Sequence, residues 1–351
     1  MNNAEGKSEA YRAAGVDIDY VTSLLKQVTP RISATRTKDV LAPIGGFGGL
    51  YQIDLTKWRH PVMVTSIDGV GTKLMIAELM NKFDTVGHDI VNHCINDIAV
   101  QGATPVYFLD YIGIGHVRSP LYEEVLIGCA DACKAEGVTL IGGESAEMPG
   151  MYGDNFDLVG CITGIVEKDE IITGEHIAPG HVAIGLASKG LQTNGFSLAR
   201  KVILEQGGLK VADRPAELGG RSVGEALLEP HGCFWSAIKA ALAEKLPLHG
   251  IAHITGGGLY DNVPRILPEG TGVRFDAKRI TDVPPIFGLI QRLGGIDPYE
   301  MYRVFNMGVG MVWFVPAADA DRALAICREK GFTANVIGEV IPGNRKVEVT
   351  L

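Results

Sequence analysis

Four times along this chain an apolar run stops in glycines. Pro61-Val62-Met63-Val64-Thr65 leads into Ser66-Ile67-Asp68-Gly69-Val70-Gly71-Thr72-Lys73. Val138-Thr139-Leu140-Ile141 leads into Gly142-Gly143-Glu144. His181–Ala187 leads into Gly190-Leu191-Gln192-Thr193-Asn194-Gly195, and Gly250–Ile254 into Gly256-Gly257-Gly258. Short apolar runs bounded by glycine read as buried strands, and helical stretches such as Asp84–Gln101 and Phe196–Gln206 alternate with them. Strands alternating with helices make an α/β protein, whose loops at strand ends converge on ligands.

The residues inside these loops narrow the chemistry. Asp68 falls where a strand gives way to a turn, and a carboxylate there suits Mg²⁺, which prefers oxygen ligands and commonly bridges phosphates. Gly69 and Gly71 let backbone N–H groups approach an anion, Thr72 adds a hydroxyl, and Lys73 offers a point charge. The plainer reading is a strand-end turn with a solvated Asp and Lys. Gly45-Gly46-Phe47-Gly48-Gly49 reads as a loop, and its proximity to a second glycine turn favours a phosphate or base cradle. Asp84–Gln101 reads as a helix with Ile90, Cys94 and Ile98 on one stripe. Its other face stacks Asp89, His93 and Asp97 at four-residue intervals, beside Asn92 and Asn96, with no Lys or Glu. Asp97 is expected to be a second metal ligand and His93 to be structural. Glu144 is the stronger carboxylate of its loop, and Glu147 is equally compatible with plain exposure. Thr193 or Asn194 either caps the helix Phe196–Gln206 or meets a phosphate at its start. His253, between apolar neighbours, is either a buried histidine or a substrate contact.

Composition bounds the rest. The length of 351 residues and 46% hydrophobic content allow two domains. The expected division is an N-terminal arm over 1–40 with a short helix at Val21–Lys26, a first domain over 41–172 and a second over 173–351. A net charge of -9 argues against a nucleic-acid or membrane surface. Six cysteines without a CxxC pair fit a reducing cytoplasm. No GxxxxGK[ST] and no GxSxG occurs, and the HExxH spacing of zinc hydrolases is missing.

Taken together, Asp68–Lys73, Asn96-Asp97 with Gln101-Gly102-Ala103, Gly142–Glu144 through Pro149-Gly150-Met151-Tyr152, and His253–Gly258 resemble the phosphoribosylformylglycinamidine cyclo-ligases (aminoimidazole ribonucleotide synthetases). Tyr11–Asp17, Gly45–Leu50 and Met301–Met311 extend the likeness over nearly the whole chain. The resemblance implies a two-domain α+β or α/β fold of that type, with N-terminal sheets pairing in a homodimer and a C-terminal mixed domain. It implies ATP-dependent ring closure of formylglycinamidine ribonucleotide, with ATP and Mg²⁺ required. Asp68 and Asp97 would hold the metal, Lys73 and Gly45–Gly49 the phosphates, and Glu144 would orient metal or substrate. Asn194, His253, Thr255 and Gly256–Gly258 would hold the ribonucleotide. The chain departs from the family at Gln192, where many members carry His, and at His231-Gly232-Cys233, which replaces a segment containing Thr-Arg. Other ATP-dependent phosphotransferases of the same superfold, and a non-catalytic nucleotide-binding regulator, are the competing expectations.

Overall fold

The computed structural model describes residues 12–351, so the expected likeness at Tyr11 lies outside the described residues. The chain builds two sheets from two separate stretches. The first has β1 (Pro61–Gly69), β2 (Thr104–Ile114), β3 (Thr139–Glu147) and β4 (Phe156–Glu167) in the order β1-β4-β2-β3. β4 runs antiparallel to both neighbours, whereas β2 and β3 are parallel. A parallel pair needs a crossover, and the helix Leu121–Glu136 supplies it, ending at Gly137 in the left-handed conformation. That helix and the helix Asp84–Ala99 cover one face of the sheet. Ile90, Cys94 and Ile98 are fully buried there, as the stripe requires. On the other face Met63 and Ile67 of β1 remain 47% and 69% exposed.

The N-terminal segment is more ordered than expected. Instead of one short turn, a 16-residue helix, Ile18–Ser33, packs on the helix Leu121–Glu136. Leu24, Val28 and Ile32 fall at four-residue intervals and are buried, and the Asp17 side chain caps the helix by accepting from the Tyr20 N–H. Pro30 sits in the last turn, where it removes one ladder bond, that to the Lys26 carbonyl.

β3 also departs from expectation. The strand does not end at Ile141 but continues through Gly142-Gly143-Glu144, paired with Leu109-Asp110-Tyr111 of β2. Gly143 is required by this pairing, since a side chain there would run into the Asp110 carboxylate. Glu147 is neither free nor solvated. Its carboxylate accepts from the Asp17 and Val117 N–H groups at 3.1 and 2.9 Å, tying the start of the N-terminal helix to the strand end.

The second sheet is six-stranded, in the order β10-β7-β9-β5-β8-β6, where β5 is His181–Ala187, β6 Gly250–His253, β7 Thr271–Asp276, β8 Val309–Pro316, β9 Ala334–Pro342 and β10 Val347–Thr350. β8, beside the edge strand β6, is buried along nearly its whole length, with Trp313 fully buried. Phe196–Arg200 starts as an α-helix and widens to π-type turns over Lys201–Gln206. Among the described residues no helix is long and apolar enough to cross a membrane.

Candidate active site

The polar face of the helix Asp84–Ala99 is the seam between the two halves. Its lack of Lys and Glu follows, because this face meets protein rather than water. Asn92 donates to the His231 carbonyl at 2.7 Å, and Asn96 donates to the Gly232 carbonyl at 2.8 Å while accepting from the Phe234 N–H at 2.9 Å. Both asparagines therefore hold the loop 231–234 of the second half. The column of Asp89, His93 and Asp97 splits into two tasks.

Asp89 pairs with Lys73. The Lys73 ammonium is fully buried, 2.8 Å from the Asp89 carboxylate, and donates to the carbonyls of Gln192 at 2.9 Å and Glu229 at 2.8 Å. Asp89 also accepts from the His231 N–H at 2.6 Å. All three ammonium protons are thus committed. This corrects the expectation that Lys73 faces a phosphate: three acceptors from three chain segments draw it inward, and it pins the first half to the second.

His93 and Asp97 enter a hydrogen-bonded chain that runs from Asp68 to Asp97. His93 Nε2 meets Asp68 Oδ2 at 2.9 Å and His93 Nδ1 meets Thr193 Oγ1 at 2.8 Å. Thr193 Oγ1 lies 3.3 Å from His231 Nδ1, His231 Nε2 2.9 Å from His253 Nε2, and His253 Nδ1 2.8 Å from Asp97 Oδ1. Five contacts need five protons. Three neutral imidazoles and one hydroxyl supply three plus one, or four. All five are hydrogen bonds at once only when one imidazole is an imidazolium. Burial opposes charge on His93, but Asp68 and Asp97 outweigh it and raise its pKa. Burial lowers the pKa of His231 well below the ordinary value, reinforced by His253 and His93, and burial outweighs Asp97 in lowering that of His253. The extra proton belongs on His93. With it there, Thr193 donates to His231, His231 Nε2–H donates to His253, and His253 Nδ1–H donates to Asp97.

The expected site residues do not all converge. Asp68, Asp97 and His253 do, joined by His93, which the sequence reading made structural, and Asn194 lies beside Gly256 and donates to Thr193. Thr255 and Gly256–Gly258 follow His253, but Gly258 serves packing: a side chain there would meet the Tyr302 carbonyl, and its N–H is held by Thr255. Asn262 braces the turn, donating to the carbonyls of Gly256 and Gly258 at 3.1 and 2.8 Å. Gly45–Gly49 and Glu144 stand elsewhere. Registry places Asp68 opposite Gly160, Gly160 opposite Asp110, and Asp110 opposite Gly143, so Glu144 is three strands, roughly 14 Å, from Asp68. The Gly45–Gly49 loop lies at that far edge, with Gly49 against Ile141 of β3 and Phe47 fully exposed. The single cluster expected from sequence is two stations on one sheet.

Asp110, at the far station, escaped the sequence reading because an Asp within an apolar run carries no pattern of its own. Burial, reinforced by Glu144, pushes its carboxyl pKa up to about 7. The native state then keeps a proton that the unfolded chain releases above its ordinary 3.8, so stability falls as pH rises through that window. Asp110→Asn is expected to stabilise the protein above pH 7, by at most about 4 kcal/mol from a three-unit shift, and to flatten the melting temperature between pH 4 and pH 8. Thermal melts across that range check it.

Between the halves, Ser66, Asp97, Gln101, His253, Thr255 and Arg265 help line a cleft of about 620 Å³. The carboxylates at its edge fit a divalent cation: each oxygen accepts one hydrogen bond and keeps a lone pair, and the Asp68 and Asp97 side chains are 41% and 26% exposed.

Two separate sheets, joined at an acidic and imidazole-rich seam, define the class. Residues 54–166 match the family "AIR synthase related protein, N-terminal domain" and residues 178–350 its C-terminal counterpart. The fold is shared with thiamine-monophosphate kinase from Stenotrophomonas maltophilia K279a (TM-score 0.66, 17% identity, covering 92% of this chain and 95% of that one) and with the T. maritima PurL complexed with AMPPCP (TM-score 0.55, 18% identity, 83% and 42%). Within that class the relatives are specific. The phosphoribosylformylglycinamidine cyclo-ligase of Shouchella clausii is 47% identical over 95% of this chain and 96% of its own, and that of Symbiobacterium thermophilum 46% identical over 98% and 99%. The chain belongs to the phosphoribosylformylglycinamidine cyclo-ligase family.

Proposed function

We propose that this chain closes the imidazole ring of formylglycinamidine ribonucleotide, consuming ATP and releasing aminoimidazole ribonucleotide, ADP and phosphate. The observation that carries this reading is full-length kinship with cyclo-ligases, joined to a cleft where Asp97 of one half meets His253 of the other. The formyl-amide oxygen is a poor leaving group; its phosphorylation by ATP lets the amidine nitrogen attack the same carbon and expel phosphate. Positioning and charge neutralisation are what the protein must add. Asp68 and Asp97 would hold Mg²⁺, which would neutralise phosphate charge. Gly45–Gly49, Gly69, Gly71 and Thr72 line the path of ATP, and Glu144 orients it from the far station. Asn194, His253, Thr255 and Gly256–Gly258 hold the ribonucleotide, and Arg265 brings a positive charge to the cleft wall. Two copies pair through the open face of the first sheet, where Met63 and Ile67 are exposed; light scattering at twice the chain mass is the expected result.

The decisive assay follows ATP hydrolysis with and without formylglycinamidine ribonucleotide, and measures aminoimidazole. Expected is hydrolysis that depends on this substrate and matches aminoimidazole formed. Turnover with a different acceptor, and none with this one, overturns the assignment.

A further inference from the structure

We propose that His93, Asp97 and His253 form a binding site for a transition-metal dication such as Zn²⁺ or Co²⁺. The site is distinct in chemistry from the oxygen-only Mg²⁺ arrangement, and the inference does not depend on the ligase reading. One ligand atom from each of the three residues lies within 4.8 Å of the other two. His253 Nδ1 is 2.8 Å from Asp97 Oδ1, and His93 Nε2 is 3.7 Å from Asp97 Oδ2. Ligands at about 2.0–2.1 Å from a tetrahedral Zn²⁺ stand roughly 3.3 Å apart, midway between those distances. Asp68 Oδ2, 2.9 Å from His93 Nε2, borders the fourth position.

The donor set decides the ion. Two imidazoles and a carboxylate suit Zn²⁺, Co²⁺ or Ni²⁺, whereas Mg²⁺ and Ca²⁺ favour oxygen ligands throughout. The outer groups are also in place. Metal-binding histidines are oriented by a hydrogen bond at the other ring nitrogen. Here His93 Nδ1 contacts Thr193 and His253 Nε2 contacts His231, both buried; with metal on His253 Nδ1 the His231–His253 bond reverses, His253 Nε2–H donating to His231 and the His231 proton moving to Nδ1 toward Thr193. The ligands come from the helix Asp84–Ala99 and from β6, so a bound ion would bridge the two halves. Since Asp97 is shared, such an ion also excludes Mg²⁺ from that carboxylate.

The test is titration of the full chain, without nucleotide, with CoCl₂. Expected is one Co²⁺ per chain, with visible d–d absorption of nitrogen-and-oxygen coordination, displaced by Zn²⁺ and not by millimolar Mg²⁺. His93→Gln and His253→Gln each weaken binding by more than 100-fold, and His231→Asn by roughly 10-fold to 100-fold as an outer-group change. Melting curves establish which variants are folded. The unaltered protein gives an independent readout, because Co²⁺ shifts the ring N–H resonances of two histidines in its proton spectrum. Absence of binding, displacement by Mg²⁺, unshifted histidine resonances, or undiminished binding in folded His93→Gln and His253→Gln overturns the proposal. Loss of ring closure alone leaves each of these readouts intact, so the two readings fail separately.

Discussion

Asp68→Asn is expected to lower turnover by about 100-fold or more while the protein stays folded. Removing one preorganised electrostatic partner of a developing charge costs on that order, and the loss falls on kcat rather than on substrate KM because charge matters most as the phosphoryl group moves. The fold tolerates the change: Asp68 is partly exposed, and its contacts are His93 and its own strand end. A stability signature accompanies it. Asp68 is buried enough to oppose ionisation, yet the His93 contact lowers its pKa from 3.8, and His93 is raised above 6.5 by the carboxylates. The carboxylate's contribution is present above pH 3.8 and is lost as pH falls through its lowered native value. The imidazolium's contribution is complete below pH 6.5 and is lost as pH rises through its raised native value. The gap in melting temperature between wild type and variant is therefore widest between about pH 4 and pH 6.5 and narrows as pH rises through the raised His93 value. Wild-type turnover in a folded Asp68→Asn protein would remove Asp68 from the phosphate and metal machinery.

Lys73→Met is expected to destabilise the protein by about 3–5 kcal/mol, the usual cost of stranding one member of a buried ion pair. Asp89 would remain fully buried with only the His231 N–H as partner, and the Gln192 and Glu229 carbonyls would lose their donor. In a chain this long the loss appears as a fall in melting temperature of roughly 4–7 °C. Lys73→Met with Asp89→Leu should recover part of it, because the uncompensated charge is removed too. An unchanged melting temperature together with a raised KM for ATP would instead make Lys73 a phosphate ligand and refute its role as an interdomain pin.

These two variants bear on the residues where reading the chain as a string went furthest and where it stopped. Apolar periodicity fixed the strands and helices well, because burial of one face is a local property of spacing: the stripe Ile90, Cys94, Ile98 is buried as read. The same spacing placed Asp89, His93 and Asp97 on one face. What it could not supply was the partner of each. Lys73 looked like a phosphate ligand because a lysine after glycines carries its charge visibly, whereas the acceptors that bury it lie 16, 119 and 156 residues away. Thr193 reads in sequence as a helix cap or phosphate contact and His231 as part of a departure from the family's segment, but neither pattern pairs them with His93 and His253; that depends on separate segments meeting at the seam. Glu144 and the Gly45–Gly49 loop seemed to join Asp68 because sheet order is invisible in sequence, and the order β1-β4-β2-β3 sets them three strands apart.

The sequence alone determined the two-part α/β architecture, the acidic helix face and, through its motifs, the family. These follow from side-chain period and from residues near one another in the chain. Tertiary structure alone decided that Lys73 is buried, that three histidines join in one hydrogen-bonded chain, and that the site has two stations. Each of those depends on strand order and on contact between distant segments, which backbone pairing and desolvation settle only once the chain is folded.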